Sequence, residues 1–150
     1  MEASNEDGNT LQMDGSKDIG GDGKGMRPMQ LLLAAVGGCS AIDVLLMLKK
    51  QKQHVDDFDV EVEGETEKVE DHKLFREICL HFKINGQVEM AKAEKAIRLS
   101  MEKYCSVSKT LEPTARITYK LTVNHFTLKE RHSDEEDNSG EKEKEDTNGK

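Results

Sequence analysis

The longest hydrophobic run in the chain lies between Leu31 and Leu48, where only Ser40 and Asp43 are clearly polar. Pro28 stands ahead of it at a helix-start position, and Lys49, Lys50 and Lys52 supply cations suited to a helix C-terminus. The pattern predicts one helix over about 28–52, apolar nearly all round, and such a helix has to be buried on most sides. A membrane span wants an uninterrupted apolar run of about 18 residues. Gly37, Gly38, Ser40 and Asp43 interrupt this one at its middle, so it reads as a core helix with no membrane partner.

Beyond this helix the period changes to two. Phe58 to Gly64 alternates apolar with acidic residues, Glu65 to Asp71 reads as a polar turn, and Arg76 to Ile84 alternates again. The second run sets Ile78, Leu80, Phe82 and Ile84 on one face and Cys79 with His81 on the other. Asn85-Gly86 reads as a turn. From there helical spacing returns over about 87–104: Met90, Ala93, Ile97, Met101 and Tyr104 share a face, and Glu94 can pair with Arg98 outside it. Pro113 bars any continuation, and Arg116 to Asn124 alternates strictly, as a closing strand does. At the other end, Leu11 to Asp14 suits a short strand, joined to the long helix by a glycine-rich loop without a phosphate-binding fingerprint. The sum is an α+β domain, a mainly antiparallel sheet packed on a long buried central helix.

Composition trims this domain at both ends. Residues 1–10 and 129–150 hold too few apolar side chains to offset the entropy of ordering, so both are expected to be disordered around a domain spanning 11–128. The net charge of −8 excludes nucleic acid as a partner, and about half of it lies in the tail, where eight carboxylates between Asp134 and Asp146 face Arg131, Lys142, Lys144 and Lys150. The acidic N-terminus has no apolar signal region, so the expected location is cytoplasmic. Three cysteines at 39, 79 and 105 have neither the spacing of a disulfide framework nor that of a zinc site, which leaves redox or nucleophilic sulfur chemistry.

Two of the cysteines, Cys39 and Cys79, have two readings each. Paired glycines inside a helix cost about 1 kcal/mol each relative to alanine. Gly37 and Gly38 therefore either open a gap beside the Cys39 sulfur or permit close packing around a small buried cysteine. Cys79 and His81 project from one face of a strand, where an imidazole could activate a thiol or two ordinary residues could share a half-covered surface.

The segment Arg27-Pro28-Met29-Gln30-Leu31-Leu32-Leu33-Ala34-Ala35-Val36-Gly37-Gly38-Cys39-Ser40-Ala41-Ile42-Asp43-Val44 closely resembles the central-helix motif of the OsmC/Ohr family, the osmotically inducible and organic hydroperoxide resistance proteins. Glu102-Lys103-Tyr104-Cys105-Ser106-Val107 resembles that family's second cysteine motif. The resemblance, from about Leu11 to Asn124, implies an OsmC-like fold and an intertwined homodimer with its sites at the subunit interface. It implies a thiol-dependent peroxidase: Cys39 attacks an organic hydroperoxide, Cys105 condenses with the resulting sulfenic acid, and a dithiol reduces the disulfide. No metal or prosthetic group is expected, since sulfur does the redox work. The best characterised peroxidases carry a glutamate directly after the helix proline, where this chain has Met29 and then Gln30. They also use an arginine on an N-terminal strand, for which no counterpart is expected here, so Arg27 becomes the candidate thiolate-stabilising cation. The chain thus resembles an OsmC-like branch lacking that glutamate. The alternative function is a non-catalytic stress-response or ligand-binding protein whose cysteines at most sense redox state.

Overall fold

A computed structural model describes residues 1–132. The central helix, α1 (Pro28–Lys50), starts where proline's missing N–H costs nothing, and Gln30 Oε1 accepts from the Arg27 N–H at 2.9 Å just ahead of it. It ends two residues short of the expected Lys52, which adopts a left-handed conformation with φ 54.

Strands β3 (His54–Val69) and β4 (His72–Gln87) form a long antiparallel hairpin. The polar stretch expected to be a turn over 65–71 is mostly strand, because a hairpin tip open to water on both faces needs no apolar alternation. The Asn85-Gly86 turn is also replaced by strand. Gly86 pairs with Val55 beside a register shift, at φ 136, and a Cβ there would lie 2.3 Å from the His54 carbonyl oxygen. Glycine marks a bulge here, not a reversal.

Helix α2 (Met90–Leu99) gives way to a π-helical turn over Ser100–Tyr104, and after Cys105 a short helix, α3 (Ser106–Leu111), follows. The single helix expected over about 87–104 is thus broken. The wider turn ends the buried face at Met101 and leaves Tyr104 57% exposed. This crossover returns the chain to β5 (Arg116–Val123), parallel to β4, and β6 (Phe126–His132) pairs antiparallel with β5. The sheet order is β3-β4-β5-β6.

Two boundaries move. Glu2–Ser4 (β1) pairs with Thr10–Gln12 (β2) as a small exposed hairpin, although the first ten residues carry no apolar signal. Strand β6 carries the fold past 128, and Arg131 reaches Glu94 at 2.8 Å, taking the carboxylate expected to face Arg98. The rest of the acidic stretch lies outside the described residues.

The core forms between one face of the sheet and the helices: Ile78, Leu80, Phe82 and Ile84 of β4 and Ile117, Tyr119, Leu121 and Val123 of β5 meet α1 and α2. Helix α1 contributes only one stripe: Val36, Gly37, Ser40, Val44 and Leu48 are buried. On its other side Leu32 is 40% exposed, Ile42 63% and Leu46 54%. Helix α1 is long and apolar enough to cross a membrane, yet its buried stripe packs on β3 and α2 as a core helix does. The prediction of burial on most sides is met on one side only within a single chain.

Candidate functional site

The two glycines of α1 do different things. A Cβ on Gly37 would stand 2.8 Å from the Val62 methyl, so Gly37 lets the helix lie close on β3. A Cβ on Gly38 would meet nothing within 4 Å. The packing reading holds for the first glycine, and the second leaves open space beside Cys39.

Cys39 is half-buried at the edge of the uncovered apolar face of α1. Cys105 is fully buried and sits where the π turn ends and α3 begins. Its sulfur accepts from the Ser108 N–H at 3.4 Å as the cap of α3, and from the Ser40 hydroxyl at 3.4 Å across the helix packing. The fold brings the two thiols close enough that each shifts the other's titration, and the Val107 amide acts on the Cys39 sulfur as well. Met101 completes the cluster, its Sδ lying 3.5 Å from Ser40 Oγ.

This arrangement makes the two sulfurs unequal. Burial pushes the Cys39 thiol above its ordinary value, and Cys105 and the Asp43 carboxylate push the same way against the Val107 amide. Burial acts likewise on Cys105, but hydrogen bonds from Ser108, Ser40 and the Cys39 thiol outweigh it and hold that thiol below the ordinary value. The first negative charge of the pair therefore settles on Cys105, while Cys39 stays a thiol. Asp43 is itself held by the Ser100 hydroxyl at 3.0 Å. Removing a donor raises the Cys105 titration: in a Cys79→Ser background, Ser40→Ala and Cys39→Ala should each shift thiolate ultraviolet absorbance to higher pH. An unmoved titration would show that these donors do not set the charge.

Arg27 does not join the pair within one chain. It precedes Cys39 by twelve positions, roughly 18 Å along the helix at about 1.5 Å per residue, and lines a separate cavity at the start of α1. Cys79 and His81 share the outer sheet face, as expected, but His81 Nε2 hydrogen-bonds with Thr122 Oγ1 at 2.8 Å. Cys79 lies between Glu63 and Thr118 in register. Ser40 and Ser108 were legible only as polar positions. A serine inside an apolar helix and another three residues after a cysteine are the signals that point to them.

Residues 21–120 match the family described as OsmC-like protein, and the chain belongs to this OsmC/Ohr family. Protein YhfA of Escherichia coli strain K12 is 42% identical over 117 residues, covering 77% of this chain and 84% of that protein. The structure of a hypothetical protein from Aquifex aeolicus is 31% identical, with a TM-score of 0.62 over 83% of this chain and 96% of that one. A Legionella pneumophila organic hydroperoxide resistance protein OsmC, at 22% identity and a TM-score of 0.63, shares the fold over 81% of this chain and 87% of its own.

Proposed function

We propose that this chain is a thiol-dependent reductase of small organic hydroperoxides, with Cys39 as the attacking sulfur and Cys105 as the resolving one. The approach of a half-buried Cys39 to a buried Cys105 whose sulfur accepts from Ser40 and Ser108 carries the reading. In the pair's singly ionised form, the Cys39 proton passes to the neighbouring Cys105 sulfur, freeing the Cys39 thiolate at the accessible position. The thiolate attacks the outer peroxide oxygen and the O–O bond breaks. The leaving alkoxide takes the proton from the Cys105 thiol to give the alcohol and regenerate the Cys105 thiolate, and Cys39 becomes a sulfenic acid. The Cys105 thiolate then attacks the Cys39 sulfur, releasing water once the hydroxyl is protonated and forming a disulfide. A dithiol returns both thiols by exchange. One hydroperoxide and one dithiol are consumed per cycle, and the net products are alcohol, water and oxidised dithiol.

The uncovered face of α1 supports a homodimer whose second copy covers Leu32, Ile42 and Leu46 and walls the Cys39 side of the site. Placing a carboxylate there by Leu46→Glu should weaken association by about a hundredfold or more. Sedimentation velocity over a concentration series reads this, and an unchanged dimer would place the interface elsewhere. A reducing compartment such as the cytoplasm suits the cycle.

Turnover of cumene hydroperoxide with excess dithiothreitol tests the function. Sustained consumption, with a dimedone-trapped Cys39 sulfenic acid in Cys105→Ser, supports it. The upward push on the Cys39 thiol favours a second reading, a slow redox sensor or ligand-binding module, and rapid multiple turnover excludes that.

A further inference from the structure

The cavity at the start of α1 lies away from the thiol pair along the helix and has a volume of about 550 Å³, within the roughly 300–1,000 Å³ range of small-molecule sites. Its walls come from three parts of the chain: the loop after β2, the first turns of α1 and the tip half of the β3–β4 hairpin. Phe75 is buried in its floor, Met29 and Leu33 are half-buried beside it, and Ile19 is 80% exposed at the rim. An apolar rim so open to water is what a bound hydrocarbon would cover.

The charges are set differently from the walls. Arg27 and Lys73 line the cavity, and neither has an ion-pair partner among the described residues. Lys73 shares a strand face with Phe75 two residues on, so cation and apolar floor are presented together. The carboxylate that could oppose them, Asp14, is committed to the loop itself. It accepts from the N–H groups of Gly15 at 2.8 Å, Asp22 at 2.9 Å and Lys24 at 3.0 Å. The Lys24 and Gly15 amides hold its carboxyl below the usual range. It therefore fixes the wall instead of pairing with either cation.

We propose that this cavity binds an amphipathic carboxylate of the medium-chain fatty acid type, its chain on Ile19, Met29, Leu33 and Phe75 and its headgroup between Arg27 and Lys73. Charge and apolar surface adjoin in the cavity as they do in such a ligand, and a guanidinium can take a carboxylate with both oxygens. The site does not depend on thiol chemistry, so it is tested in full-length Cys39→Ser protein, where loss of turnover cannot be mistaken for loss of binding. Calorimetric titration with decanoate, decanol and decyltrimethylammonium reads the headgroup preference, and amide chemical shifts locate the site. Decanoate should bind at least about tenfold tighter than either other probe, and Arg27→Gln and Lys73→Gln should each weaken it by about tenfold. The decanoate shifts should fall on 14–19, 27–33 and 73–75. Three outcomes overturn the proposal: equal affinity for the three probes, indifference to both cation variants, or no shifts at these positions because a second copy of the chain fills the cavity.

Discussion

Cys39→Ser is expected to lower hydroperoxide consumption by about a thousandfold or more, since a hydroxyl at this place lacks both the acidity and the polarisability of the attacking sulfur. Cys105→Ser should behave differently. It keeps an acceptor beside Cys39 but no resolving thiol, so one equivalent of hydroperoxide is consumed and the Cys39 sulfenic acid accumulates. The contrast matters because, in the proposed cycle, the sulfur that ionises first is the one that attacks second. Cys105, held by Ser108 and Ser40, stores the charge, while Cys39 stands where a hydroperoxide can reach it. Peroxide consumption by ferrous-xylenol orange assay checks the first variant and dimedone labelling the second. Undiminished turnover in Cys39→Ser would remove the proposed nucleophile.

Phe82→Ala should cost about 3–5 kcal/mol of stability, the usual loss for a large aromatic residue cut from a closed core. Phe82 is fully buried on β4, in the middle strands of the sheet, and meets Phe58 of β3 edge-to-face at 6.3 Å between ring centroids. Truncation leaves a cavity in the layer between sheet and helices. Urea unfolding of the variant against the parent protein gives the difference. A loss below about 1 kcal/mol would mean that this layer is not the continuous core described here.

Much of the fold was legible wherever one face meets water and the other meets the core. Ile78, Leu80, Phe82 and Ile84 alternate because β4 has one buried face, and Ala93, Ile97 and Met101 keep helical spacing because α2 lies on the sheet. Elements held chiefly by backbone pairing left no such trace: β1, β6 and the tip of the β3–β4 hairpin carry mostly polar side chains. The π turn escaped for another reason, since Met101 continues the apolar period that the backbone then abandons. At the candidate site, periodicity located neither the meeting of Cys39 with Cys105 nor the sharing of Ser40 between Met101 and Cys105. Both depend on how α1 packs against the π turn and α3. The family motifs singled out the two cysteines, and the geometry supplies what the motifs lack, the donors that distribute charge between the sulfurs.

In the proposed cycle Cys39 and Cys105 form one redox unit. Its most direct test is the intact mass and disulfide map of reduced protein after one equivalent of cumene hydroperoxide. The expected result is rapid loss of two hydrogens and a single disulfide joining Cys39 to Cys105, with Cys79 still reduced. Recovery of all thiols unreacted, or a disulfide through Cys79, would contradict it.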